Sequence, residues 1–255
     1  MLLLNGFMRQ YFVLILIIIF ACILRFYGIS FDLPYVFNVD EPYIMDKAVE
    51  VADGNLRHGI IIRGSLPYYL TGGIIKLATI LNPSILKSQK TITQAYKLNK
   101  TPFYIIGRSI SATYSILEII LVFFLGKLLF NSSVGLIGAF LAAISILSIN
   151  FSHQVTPDTA LSFSILLTLY MGILANKRNS YKLFIVSGLL VGFSASQKLT
   201  GILAWPIICL YLFNAKLFRS VSLPKKILFI FGITITPLIS FFLSYPYIFQ
   251  DWSKL

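Results

Sequence analysis

Two adjacent carboxylates, Asp40 and Glu41, follow the short loop Phe31-Asp-Leu-Pro-Tyr-Val-Phe-Asn-Val39. Pro42 comes next and suits a first helical turn, which puts Asp40 at the N-cap and both carboxylates beside free backbone N–H groups. A helix start stabilises negative charge there by about 0.3–1 kcal/mol. An ionised aspartate beside a cavity at a membrane face is a competent general base toward a hydroxyl. The plainer reading of the pair is a helix cap and a solvated charge. A second acid, Asp158, closes the polar stretch Asn150-Phe-Ser-His-Gln-Val-Thr-Pro-Asp158. Directly after Pro157, it falls at the N-cap or first turn of the next apolar segment. His153, in the same stretch, is a candidate ligand for an anionic group or a hydrogen-bonded loop residue. His58 and His153 are the two histidines of the chain, too few for a His-based metal site. Asp40, Glu41 and Asp158 can share one divalent ion if they converge.

The cations form a second group. Arg108, Ser111, Ser115 and Glu118 fall within about an 80° arc at 100° per residue, on one face of an apolar helix. Ionisable groups inside a span face a bundle interior or a cavity, in a functional role or as a structural ion pair. Arg108 lies near one end of its helix, where it can hold a phosphate. Lys198, in Ala195-Ser-Gln-Lys-Leu-Thr-Gly201, is a point-charge phosphate ligand or a snorkelling lysine. Gly188, Gly192 and Ser196 recur at a spacing of four, a small-residue face suited to close helix packing.

The elements that must position these residues belong to a membrane. Of the 255 residues 57% are hydrophobic and 12% charged, with a mean hydropathy of +0.84; soluble domains run near roughly 45–50% apolar and about 25% charged. The apolar stretches are continuous rather than alternating, which predicts an all-α helical bundle and excludes a barrel. Cys22 and Cys209 sit inside such stretches as small hydrophobes, so a disulfide scaffold is excluded as well. The net charge of +12 comes from basic residues in short loops. That is the orientation pattern of a membrane protein, with anionic lipids and lipid phosphates as partners and no nucleic acid.

Apolar runs cover 11–24, 66–81, 103–130, 134–149, 159–175, 183–196, 199–213 and 227–243. Arg25 reads as a snorkelling residue at the end of the first. That run resembles the start of a signal peptide, but no small-x-small cleavage site follows it. The 66–81 run is short for a span, is opened by Pro67 and contains Lys76; it is expected to lie in the interface. Seven spans remain, in one module over 1–255. A first outer loop, 28–102, carries two surface helices, 41–55 and 66–81, and a second outer loop covers 150–158. On 41–55, Ile44, Ala48, Val51 and Ala52 share a face, as in a helix lying on a membrane or on other helices. The loops then sort by charge. Arg9, Lys127, Lys177, Arg178, Lys182, Lys216, Arg219, Lys225 and Lys226 fall inside. Asp32, Asp40, Glu41, Asp46, Glu50, Asp53, Asp158 and Asp251 fall outside.

The ordered set of pieces resembles a family. It runs from the Asp40-Glu41 pair through Leu66-Pro-Tyr-Tyr-Leu70 and Arg108-Ser-Ile-Ser-Ala-Thr-Tyr-Ser115. Phe151-Ser-His-Gln-Val-Thr-Pro-Asp-Thr-Ala-Leu161 and Gly188-Leu-Leu-Val-Gly-Phe-Ser-Ala-Ser-Gln-Lys198 complete it. From about Arg25 to Trp205 the chain looks like the polytopic GT-C glycosyltransferases, in the branch of the protein O-mannosyltransferases and the lipid A aminoarabinose transferase. The resemblance implies inverting transfer of a sugar from a polyprenyl-phosphate donor to an acceptor hydroxyl on a protein, lipid or glycan, on the extracytoplasmic face of the cell membrane. It places Asp40 as the first-loop catalytic acid, Glu41 as its neighbour and Asp158 as the acid of the second loop. Arg108, Lys198 and His153 become donor-phosphate ligands, and no cofactor or metal is required. Members of the family continue through further spans. The stop at Leu255 therefore leaves a minimal enzyme, a module completed by a partner subunit, or an inactive truncated piece as expectations. A transporter or flippase, suggested by Arg108 and Glu118 inside a span, is the reading from another class, although the paired broken helices of transporters are not seen. The terminal Ser253-Lys254-Leu255 matches a peroxisomal address by chance.

Overall fold

The computed structural model describes residues 6–57, 64–245 and 247–248, with side chains from Met8 onward. His58, Asp251 and the terminal tripeptide, singled out above, lie outside the described residues. Every regular element among the described residues is helical. In chain order these are α1 (Gly6–Phe26), α2 (Asp40–Ala52), α3 (Leu66–Leu81), α4 (Ile92–Leu98), α5 (Thr101–Leu129), α6 (Ser132–Ala143), α7 (Ile146–Ser152), α8 (Asp158–Arg178), α9 (Tyr181–Gln197), α10 (Ala204–Asn214), α11 (Lys216–Ser220) and α12 (Leu223–Ser244), with single 3₁₀ turns at Pro83–Leu86 and Leu199–Leu203.

The chain divides into two compact units, Met1–Leu56 with Pro67–Thr159, and Arg57–Leu66 with Ala160–Leu255. In the first, α2 supplies Ile44, Met45, Ala48, Val49, Val51 and Ala52 to a core shared with Tyr68 and Ile75 of α3, Tyr96 of α4, Phe103 and Tyr104 of α5, and Val155. The apolar face expected on this helix is real, and other helices cover it. A smaller core joins Leu14, Ile17 and Ala21 of α1 to Ile119 and Phe123 of α5 and to Ala139 and Ala143 of α6. In the second unit, α9 packs on α12 through Gly188 and Gly192. A Cβ on Gly188 would collide with Thr236 Oγ1, and one on Gly192 with the carbonyl of Pro237. The small-residue face therefore lets two helices approach closely. Cys209 is buried in the core of this unit with Phe184, Val191 and Ile208.

Among the described residues four helices are long and apolar enough to cross a membrane: Met8–Phe26, Thr101–Leu129, Asp158–Arg178 and Leu223–Ser244. The continuous span expected over 134–149 is instead two helices, α6 and α7, bent by 58°, and would be a fifth span if the pair crosses as one. Ser145 caps the new start by accepting from the Ser148 N–H at 3.4 Å. Arg25 holds the end of α6, donating to the carbonyls of Ala143 at 3.0 Å and Ala142 at 3.2 Å. Those are carbonyls a helix end leaves without partners. Arg25 also donates to Ser115 Oγ at 2.7 Å and Ser148 Oγ at 3.2 Å, and it is 0% exposed. The snorkelling reading of Arg25 is thus corrected: the guanidinium is buried because broken-helix carbonyls and two hydroxyls replace its water. The 183–196 and 199–213 runs form α9, of 17 residues, and α10, of 11. Short apolar helices over Leu66–Leu81 and Leu199–Asn214 complete the apolar elements.

Candidate functional site

Glu41 and Arg108 organise one end of the first unit. Both are buried, at 0% and 2% exposure. Arg108 Nε and Nη2 donate to the two Glu41 oxygens at 2.9 and 2.8 Å, a bidentate pair. Nη2 also donates to Asp32 Oδ1 at 2.8 Å, and Nη1 to the carbonyls of Ile29 at 3.0 Å and Phe31 at 2.7 Å. The guanidinium has five N–H donors, and these five bonds match them. The phosphate ligand expected at Arg108 would have to displace one. Glu41 in turn accepts the backbone N–H of Val155 at 2.6 Å, so the start of α2 is tied to the loop between α7 and α8. Asn38 makes a second tie, donating to Gln154 Oε1 at 2.6 Å.

These bonds hold the segments carrying Asp40 and Asp158 at one end of the unit, since each acid is at most three residues from a tie. Asp40 is exposed and is the first residue of α2. It is not the N-cap. Val39 holds that place without a side-chain bond, and Asn38 Oδ1 accepts the Asp40 N–H at 2.8 Å instead. The side chain that meets this N-terminus therefore comes from the preceding loop. Asp158 stands in the first turn of α8, as expected; its carboxylate accepts from Thr156 Oγ1 at 2.6 Å, and the same oxygen accepts the Asp158 N–H at 3.1 Å.

A cavity of about 640 Å³ opens beside the knot, lined by the loop after α1, by Glu41 and Arg108, and by Asn150, His153 and Gln154. His153 follows the end of α7. Burial lowers its pKa from the usual imidazole value, outweighing the backbone of Leu24 and Arg25, which acts to raise it. Its Nε2 is buried and has no hydrogen-bond partner. Lys198 belongs to the second unit, where it closes α9 in an extended conformation and is half-buried. Beside it, Gln197 is 1% exposed and neither atom of its amide has a hydrogen-bond partner.

The structure thus gathers Glu41, Arg108 and His153 around one cavity, with Asp40 and Asp158 on the segments that frame it. Sequence reasoning missed Arg25, Asp32, Asn38 and Gln154. The signal for Arg25 was a cation at the end of a span; for the others it was only their place in loops flanking the acids. Among the described residues no group of three His, Cys, Asp or Glu side chains is close enough to hold a metal ion.

No curated protein sequence matches the chain. A solved structure of the S. cerevisiae protein O-mannosyltransferase Pmt1-Pmt2 complex bound to the sugar donor has the same fold, with a TM-score of 0.73 at 19% identity. The match covers 98% of this chain and 34% of that one, so the chain spans about a third of its length. The sequence profile for dolichyl-phosphate-mannose-protein mannosyltransferases matches residues 96–245, a stretch that includes Arg108, His153, Asp158 and Lys198 but begins after Asp40 and Glu41. With more than half of its residues matched to that profile and apolar spans that place it in a membrane, the chain belongs to the dolichyl-phosphate-mannose-protein mannosyltransferase family.

Proposed function

We propose that this chain is the core of a membrane glycosyltransferase that moves a mannose-type sugar from a lipid-phosphate donor to an acceptor hydroxyl, with Asp40 as general base. The observation that carries the reading is the Glu41–Arg108–Val155 knot, which keeps the Asp40 and Asp158 segments together while leaving Asp40 exposed. Asp40 takes the acceptor proton as the hydroxyl oxygen bonds to the anomeric carbon. The bond from that carbon to the phosphate oxygen breaks on the opposite face, inverting the centre. The lipid phosphate leaves as an anion, so no general acid is needed.

Glu41 and Arg108 position the base in this scheme, because their charges already neutralise each other. Lys198 is the proposed phosphate ligand, as a point charge. Asp158 orients the acceptor or the start of α2. No metal takes part. The proposed topology has seven spans, with α9 and α10 among them, α3 in the interface, and the acids on the extracytoplasmic face of the cell membrane. The solved relative is a complex of two chains, and completion of the donor site by a partner subunit is the second reading.

Transfer of label from a polyprenyl-phosphate sugar in membranes tests the activity; equal transfer by wild type and Asp40→Asn removes Asp40 from the reaction. Topology is tested separately, by single cysteines at the exposed positions Asn55, Asn150 and Asn179 in a background without Cys22 and Cys209. An impermeant maleimide should label the first two from outside and not the third. Labelling of Asn55 and Asn150 from opposite sides would defeat the shared-face scheme.

A further inference from the structure

The loop that joins α1 to α2 sorts its side chains into two sets. Leu33 and Val36 turn inward and pack against the core of the first unit. Asp32 is turned the same way: one carboxylate oxygen accepts from Arg108 at 2.8 Å and the other accepts the Phe37 N–H at 2.9 Å. The carbonyls of Ile29 and Phe31 bind Arg108 as well. Asp32 and Val36 hold left-handed backbone, with φ of 64° and 55°. That conformation is costly for a β-branched residue and persists only where the surroundings enforce it. The loop is thus pinned from behind, and its other large side chains are left outside. Tyr27, Phe31, Tyr35, Phe37 and Val39 are 74–87% exposed, although Phe31 and Phe37 also edge the cavity beside the knot.

What covers these rings follows from α1. Met8, Phe12, Ile15, Ile19, Ile23 and Phe26 are exposed and recur at helical spacing. They lie opposite Leu14, Ile17 and Ala21, the face that packs on α5 and α6. This stripe runs on into the aromatic loop, since the Tyr27 N–H still bonds to the Ile23 carbonyl at 2.9 Å. At about 1.5 Å per residue, Met8 to Phe26 covers roughly 27 Å, close to the roughly 30 Å of bilayer hydrocarbon. Arg9, exposed beside Met8, suits one boundary of that layer, and the loop then begins at the other. Aromatic side chains gather at this level, where an apolar ring meets both acyl chains and headgroups. We infer that the loop from Tyr27 to Val39 is an interfacial anchor, its rings seated in the headgroup layer of the bilayer beside α1. Val39 leads directly into Asp40, so the anchor also sets the depth of that carboxylate. Lipid contact of this kind holds with or without sugar transfer.

Spin labelling of the full chain in phosphatidylcholine vesicles tests the anchor. Tyr27→Cys, Phe31→Cys, Tyr35→Cys and Phe37→Cys are labelled one at a time, in a background without Cys22 and Cys209. None of the four side chains belongs to the packed core. At each label, collisions with oxygen, which partitions into lipid, are compared with those of a neutral nickel complex, which stays in water. Ile19→Cys gives the hydrocarbon reference and Asn55→Cys the aqueous one, both at exposed positions of the same unit. The oxygen-to-nickel ratio at all four loop positions should lie well above the Asn55 value and below the Ile19 value. Three results would overturn the inference. A ratio equal to that at Asn55 would leave the rings in water. Dipolar broadening that disappears on dilution with unlabelled protein would assign the patch to a second copy of the chain. A fall in both collision rates on adding a threonine-containing peptide would assign it to a polypeptide.

Discussion

The two units of this chain solve the problem of packing apolar helices by different means. In the first, buried charge and hydrogen bonding hold the elements: Arg108 joins α5, the loop after α1 and the start of α2, and Arg25 joins α1, α5 and the break between α6 and α7. In the second, close backbone approach does so, with Gly188 and Gly192 of α9 set against Thr236 and Pro237 of α12. The acids follow the same division. Eight of the nine lie between Asp32 and Asp158, and the described residues from Ala160 onward carry none. Small residues pack well in lipid, where apolar contact gains little over lipid tails. They cannot hold a loop, whose backbone groups need polar partners. The first unit carries the loops that flank Asp40 and Asp158, and there the charges are used.

The largest effects should be on chemistry, and both fall within the first unit. Asp40→Asn should lower transfer by about 10²–10⁴-fold with donor binding largely kept, as for loss of a general base. Asp158→Asn should instead raise the acceptor KM or lower both parameters in part. If Asp158→Asn is the deader variant with unchanged acceptor affinity, the two roles are reversed.

Stability comes next. Arg108→Leu leaves Glu41 buried beside Asp32 without its counter-charge and should cost about 3–5 kcal/mol, as removal of one partner of a buried pair does. The double change with Glu41→Gln should recover part of that loss, which a thermal melt in detergent reads directly. If the single and double variants melt alike, the knot is not an energetic unit. In the second unit, Gly192→Val introduces a side chain where the Pro237 carbonyl stands. Overpacking of this kind costs typically about 1–3 kcal/mol. Hydrogen exchange should show the loosening in α9 and α12, and uniform loosening across both units would erase the contrast drawn here.

The smallest effect is acid sensitivity. Burial lowers the His153 pKa, with the positive charges of Arg108 and Arg25 acting in the same direction and the carboxylates Asp32 and Glu41 also lining its cavity. The folded state therefore favours the neutral ring. Its contribution is complete above the unfolded imidazole value near about 6.5 and fades as pH falls through the lowered folded value. Wild type should lose more melting temperature between neutral and mildly acidic pH than His153→Gln. Equal losses would assign the sensitivity to the carboxylates.

Local sequence determined the helical membrane character, the bounds of α3, the apolar face of α2 and the small-residue face of α9. Hydropathy and spacing are properties of neighbouring residues, and a helix repeats every 3.6 of them. Tertiary structure alone decided the fates of the charges. Asp40 and Glu41 are adjacent and chemically alike, yet one is exposed and the other is closed in by Arg108, 67 positions away, and by Val155, 114 positions away. Arg25 reads as a cation leaving the bilayer until carbonyls 117 and 118 positions away reach it. Those same bonds hold the break that divides an apparently continuous span into α6 and α7. A buried charge is tolerated only where distant groups replace its water, and which groups arrive is set by the packing of helices that sequence spacing does not encode.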